Sequence, residues 1–472
     1  MKIFVWVLFT LAIFVNLWTL KDGHNWGDDF AQYIINARNI IENKPYASGV
    51  MLDNNVIYPP GLPLLLAPAL KAFGLNFKIL KLLNILFWYL SIIFLYFLFL
   101  RIEGRPFALM AAVFLAWASF FFVYKQNVLS DIPFFLFVCS CLYAFERWGK
   151  DTSSRQGRLY FIGFLFSISA ALWLRSAGVT LFAAALFCFV FINRDKKALA
   201  AVLTVFIINE LLLFFWMGWH PGFWATVGQG PQVFLTHVLN NFATVFRSLW
   251  FFFCPSQTIF SRYLFNMMDP LICLAAPVFY AMMTWSFMRG FQKKNLSYLE
   301  CFSFFYISLL IFWSGFTMSP DGFTRFVLPL LPFVFLGSWR LLKRWARVVF
   351  LVLLLINLTN VIINWDFNDD VFNLPVNSEL VNWVKQNMKP NEHFMFWKPR
   401  ALALLTQREG TPPWIFQDQE RHFIGRVKDF KISYVFSLKD NDRQGLTAQC
   451  EQNNHFRLVW ENAVYKVFKF IN

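Results

Sequence analysis

Residues 25–34 read NWGDDFAQYI, with two adjacent carboxylates, Asp28 and Asp29, just past an apolar stretch. Tyr33 stands one helical turn after Asp29, so one helix face carries both. A carboxylate so placed can take the proton of an attacking hydroxyl as a general base. It can equally cap a helix beside its positive dipole end. Both roles hold if the pair is split, one of Asp28 and Asp29 capping while the other works. Ile34, Ala37 and Ile40 give the same segment a partly apolar face that suits a helix lying along an interface.

Other chemistry-bearing residues recur in order along the chain. The stretch VIYPPGLPLLLAP holds Tyr58 before Pro59 and Pro60, with Gly61 permitting a turn into an apolar helix. NVLSDIPFF puts Asp131 in the first turn of a helix, with Lys125 nearby to neutralise it or to bind a phosphate. Arg175 in LWLRSAG and Arg325 in SPDGFTRFVLPLLP each allow two readings: a snorkelling cation or a bidentate fork on phosphate. His220 and His237 offer acid–base or metal-ligating imidazoles.

The elements that position these residues are apolar. Of 472 residues, 58% are hydrophobic and 20% aromatic, and only 15% are charged, against about 25% charged in a soluble domain. The class is a polytopic membrane protein. The formal net charge of +15 resides largely in short loops between apolar runs, the positive-inside pattern, so nucleic acid is excluded as a partner. Five of the seven cysteines lie in apolar runs as small packing residues. Cys254 and Cys450 face the outside on this topology, with weak grounds for a disulfide.

About eleven spans of the length a bilayer requires are expected, near 3–20, 77–100, 106–124, 130–148, 159–174, 176–193, 197–217, 269–289, 298–316, 322–340 and 346–364. Alternate loops carry Arg101 and Arg105, then Arg147 to Arg158, Arg194 to Lys197, Arg289 to Lys294, and Arg340 to Arg347, which assigns them to the cytoplasmic side. Loops 21–76 and 218–268 then face outward, and with them all the site candidates above. The expected organisation is a transmembrane region over 1–364 and a small mixed α/β extracytoplasmic domain over 365–472. In that domain SELVNWVKQNM has a helical pattern, and KPNEHFMFW, ISYVFSL and FRLVWENAVYKVFKF read as strands.

Taken in order, these stretches resemble the GT-C fold glycosyltransferases of family 39 type, which include the dolichyl-phosphate-mannose protein mannosyltransferases and the lipid A aminoarabinose transferases. The resemblance covers roughly residues 1–365, and more loosely the tail. It implies transfer of a sugar from a polyprenyl-phosphate donor, with inversion, on the extracytoplasmic side of a bacterial plasma membrane. It makes Asp29 the catalytic base and leaves protein, lipid A, teichoic acid and capsule open as acceptors. Arg325, Arg175 and Lys125 then bind the donor phosphate, and Tyr33, Tyr58, Asp131 and His220 are substrate-site candidates. No cofactor is fixed; a divalent metal ion is admissible, without a convincing ligand set. The sequence departs from the family pattern twice: Phe30 stands where Glu is usual, and Tyr58 where the aminoarabinose transferases have Lys. A multi-pass transporter or flippase is the alternative, with Glu210 as its one mid-span carboxylate. A surface-polysaccharide polymerase or ligase of another fold is a third reading.

Overall fold

The computed structural model describes residues 2–49, 51–52, 58–217, 231–253, 270, 276–277, 280–312, 320–365, 370–413, 420–439 and 445–471. The chain divides into two compact units: residues 1–20, 82–125 and 130–367 form one, and residues 21–81, 126–129 and 368–472 the other.

Among the described residues the regular structure of the first unit is helical. It contains α1 (Lys2–Trp18), most of α4 (Phe77–Ile102), α5 (Arg105–Ala116), α6 (Ser119–Tyr124), α7 (Asp131–Gly149), α8 (Arg155–Leu174), α9 (Val179–Phe187) and α10 (Lys196–Met217). Further helices run over Pro231–Phe253, Tyr298–Phe312, Pro320–Val327, Leu331–Leu342 and Ala346–Ile363. Among the described residues, five runs are long and apolar enough to cross a bilayer: Phe77–Ile102, Arg105–Tyr124, Arg155–Leu174, Lys196–Met217 and Gly322–Ile363. The other expected spans fall on shorter or more polar helices, or largely outside the described residues. The loop expected over 218–268 contains a regular helix, Pro231–Phe253.

Two details show how the sequence shapes these helices. The span expected over 106–124 breaks at Ala118, whose backbone is extended (φ −61°, ψ 116°). Asn357 supports the break: its Oδ1 accepts from the Ser119 N–H at 2.9 Å and the Ser119 hydroxyl at 2.8 Å, which satisfies donors at the start of α6. On α10, by contrast, Ile207, Leu211 and Phe215 are 55%, 51% and 81% exposed. Apolar surface of that extent suits lipid rather than water.

The second unit holds α2 (Asp29–Ile41), α3 (Gly61–Phe73) and a five-stranded sheet. The strands are β1 (His393–Met395), β2 (Gly410–Thr411), β3 (Ile432–Leu438), β4 (Phe456–Glu461) and β5 (Tyr465–Phe470), in the order β2-β1-β3-β5-β4. β1 pairs parallel with β2 and β3, while β5 is antiparallel to β3 and β4. Helices Pro375–Asn387, Pro399–Thr406, Glu420–Asp429 and Leu446–Glu451 accompany the sheet. The core gathers Met395, Phe423, Val427, Val435, Phe468 and Cys450. Gly410 is obligatory in β2, since a Cβ there would lie 2.3 Å from the Phe394 ring.

The partly apolar face expected on α2 is covered within this unit. Nine of the helix's thirteen residues are buried, and it packs on α3 and on the Pro399–Thr406 helix. Its partly apolar face is internal packing surface. Gly61 likewise does not turn the chain: it is the first residue of α3, whose opening bond runs from the Leu64 N–H to the Pro60 carbonyl at 2.9 Å.

Candidate active site

The doubled carboxylate is split by its surroundings. Asp28 precedes α2 but makes no cap bond to it. Its Oδ1 instead accepts from the backbone N–H groups of Arg400 (3.1 Å) and Ala401 (3.3 Å), in the first turn of the Pro399–Thr406 helix. Asp29 occupies the first turn of α2 and accepts a hydrogen bond from the Tyr58 hydroxyl at 2.7 Å. The Asp28 side chain is 10% exposed and that of Asp29 33%, so Asp29 is the carboxylate a substrate can reach.

One side chain joins the group that no sequence signal singled out. Arg400 reaches the Asp28 carboxylate through Nε (3.6 Å) and the Asp29 carboxylate through Nη1 (3.5 Å). Nη1 also donates to the Tyr58 hydroxyl at 3.2 Å, and Nε to the Met51 sulfur at 3.0 Å. Only its place after Pro399 at a helix start, in KPRALALL, hinted at a fixed position.

Tyr58 is held from both sides. Its ring stacks on Tyr33 at 4.9 Å with an interplanar angle of 28°, and its carbonyl accepts from the Tyr46 hydroxyl at 2.9 Å. Burial, and then the Asp29 charge, keep the Tyr58 phenol well above its ordinary range, so it is a proton donor to Asp29 at neutral pH. Burial pushes the Asp28 carboxyl up to about 6 against the pull of Arg400 and Lys398.

Phe30, where the family pattern has Glu, is directed away from this chemistry. Its ring stacks on His24 with centroids 3.6 Å apart and packs on Phe77 and Phe372. His24 is structural: its Nε2 accepts from the Val128 N–H at 3.2 Å, and burial, then Lys81, push it down to about 3. The imidazole is therefore neutral.

The first unit holds its own charged cluster. Asp131 opens α7 with its side chain 2% exposed. Arg175 forms an ion pair with its Oδ1, and Arg325 lies 3.9 Å from its Oδ2. Both guanidiniums stand over the Phe326 ring, at 4.6 and 4.8 Å. Both guanidiniums face this one buried carboxylate, and the arginine side chains are 16% and 14% exposed.

Lys125, expected as a third phosphate-binding cation, is corrected. It is fully buried. Its ammonium donates to the Asn16 carbonyl (3.1 Å), to Asn16 Oδ1 (3.1 Å) and to the Thr19 hydroxyl. It closes the C-terminal end of α1, where helix carbonyls lack internal donors. His220 lies outside the described residues. Glu210 sits on the exposed face of α10, not in an interior pathway. Among the described residues no group of three or more His, Cys, Asp or Glu side chains gathers. Asp28 and Asp29 are already met by a guanidinium and backbone donors, a donor set that does not fit a dication.

The comparisons bear on the fold. A family model described as dolichyl-phosphate-mannose-protein mannosyltransferase matches residues 58–219, the stretch that includes Tyr58, Asp131 and Arg175. ArnT from Cupriavidus metallidurans in the apo state is similar over 99% of this chain and 98% of its own, with 13% identity and a TM-score of 0.59. The chain has a GT-C fold of this type. The GT-C likeness extends to the same ArnT bound to undecaprenyl phosphate, over 98% of this chain and 97% of that one, at 13% identity and a TM-score of 0.59. It extends also to the archaeal oligosaccharyltransferase AglB from Archaeoglobus fulgidus in complex with an inhibitory peptide and a dolichol-phosphate. There the similarity covers 95% of this chain and 71% of that one, at 14% identity and a TM-score of 0.57. No curated protein matches the chain in sequence.

Proposed function

We propose that the protein is a membrane glycosyltransferase that moves a sugar from a polyprenyl-phosphate donor to an acceptor hydroxyl on the extracytoplasmic side. The observation that carries this is the reachable Asp29 carboxylate, held by the Tyr58 hydroxyl at 2.7 Å on a GT-C fold. Asp29 takes the proton of the acceptor hydroxyl as its oxygen attacks the anomeric carbon. The bond from that carbon to the phosphate oxygen breaks, the configuration inverts, and polyprenyl phosphate leaves with the electron pair. Arg175 and Arg325 are the proposed phosphate-binding cations, stabilising the charge that grows on the leaving group. The lipid phosphates named in the solved relatives support this donor class.

The test compares surface glycans and glycolipids by mass spectrometry in a deletion strain restored with wild type or Asp29→Asn. Wild type is expected to restore a product, and Asp29→Asn to lower it ~10²–10⁴-fold, the usual worth of a general base. Full restoration by Asp29→Asn at normal expression overturns the base assignment. No difference on deletion overturns the transferase reading.

A further inference from the structure

We infer that Arg400 is a positioning residue for this transfer: through Tyr58 it fixes the orientation of Asp29 and holds it as the carboxylate. The inference rests on the transferase reading above. Arg400 arrives from a helix far along the chain, yet it meets both carboxylates of the acidic motif and the Tyr58 hydroxyl. Its Nη1 donates to the Tyr58 hydroxyl (3.2 Å), which donates to Asp29 Oδ1 (2.7 Å). The same Nη1 stands 3.5 Å from that Oδ1 directly. A hydroxyl donor and a guanidinium charge thus meet one oxygen of the base, which restricts rotation of the carboxylate plane.

A purely structural role for Arg400 explains less. The backbone N–H groups of Arg400 and Ala401 already satisfy Asp28, so tying the Pro399–Thr406 helix to Asp28 does not require the guanidinium to extend to Tyr58 and Asp29. Burying a guanidinium, 10% exposed here, is costly unless its partners repay it. Those partners are Asp28, the proposed base and the base's hydrogen-bond donor. A cation beside a carboxylate favours the charged form, and a base that must accept a proton near neutral pH has to be charged beforehand. The positive charge beside the proposed base thus comes from the C-terminal part of the chain.

The experiment measures product formed by membranes of the deletion strain carrying each variant of the full chain, between about pH 5 and pH 8, with protein level matched by immunoblot. Arg400→Gln is expected to lower the rate at neutral pH ~10²-fold and to move the acid limb of the pH profile upward by about one unit. Arg400→Lys restores the position of the limb but only part of the rate, because it keeps the charge and loses the fork. If Arg400→Gln accumulates poorly, Tyr58→Phe carries the same test. It removes the hydroxyl between Arg400 and Asp29, leaves the Arg400–Asp28 pair in place, and is expected to cost ~10-fold in rate. A wild-type rate and pH profile in Arg400→Gln or in Tyr58→Phe, with Asp29→Asn inactive, overturns this inference alone. Loss of rate with an unmoved acid limb in Arg400→Gln reduces Arg400 to a structural residue and also overturns it. A full product yield from Asp29→Asn overturns the base assignment and this inference with it, whereas no difference on deletion overturns the transferase reading.

Discussion

The Asp28 carboxylate and the backbone N–H of Arg400 meet at 3.1 Å although 372 residues separate them. Asp28 does for the Pro399–Thr406 helix what an N-cap side chain ordinarily does for its own helix: it satisfies two N–H groups of the first turn. Asp28→Ala should therefore destabilise the second unit by roughly 0.5–2 kcal/mol, the usual worth of a cap. Thermal unfolding of the purified protein in detergent checks this, and an unchanged Tm would remove the capping role.

The same carboxyl gives a pH dependence whose sign is fixed. Its pKa rises from an ordinary 3.8 to about 6 in the folded state, chiefly through burial. The folded protein thus binds more protons than the unfolded chain between those values, and Asp28 weakens the fold as pH rises through that window. Wild type should gain Tm relative to Asp28→Asn as pH falls from about 7 to about 5. Parallel Tm curves for the two proteins would contradict the assignment.

Asp131 is buried between Arg175 and Arg325. Asp131→Ala removes the buried carboxylate that both guanidiniums face, which should cost about 3–5 kcal/mol. The fraction of protein surviving a heat challenge in monodisperse form is the measurement. Wild-type survival would show that the cluster needs no internal anion.

Lys125→Met separates a structural cation from a phosphate-binding one. The substitution leaves Asn16 and Thr19 acceptors without their buried donor, at ~1–3 kcal/mol for a group so stranded. Stability should fall, while product per folded molecule stays near wild type. A loss of product per folded molecule comparable to that of Arg325→Ala would return Lys125 to the phosphate site.

The sequence announced the helical, apolar class, and it placed the later strands. ISYVFSL is β3 over Ile432–Leu438, and FRLVWENAVYKVFKF is the β4–β5 pair, because alternation and β-branched or aromatic content are local signals. Asp131 at the start of α7 followed from the Ser-Asp-Ile-Pro order, which is local helix chemistry. Arg400 was not legible, since nothing near KPRALALL records which distant carboxylates it will meet. Lys125 was misjudged for a related reason. A lysine at the end of an apolar run has the same spacing whether it reaches outward to a ligand or inward to Asn16 and Thr19.

The division between the two kinds of information is physical. Hydrophobic periodicity and charge placement act over one or two helical turns, so the chain alone determined the apolar helices, the basic loops and the candidate carboxylates. Hydrogen bonds and ion pairs act over a few ångströms regardless of separation along the chain. Only the tertiary structure decided that Asp28 caps a helix near the C-terminus, that Asp29 keeps a third of its side chain exposed beside Tyr58, and that Arg400 holds them together.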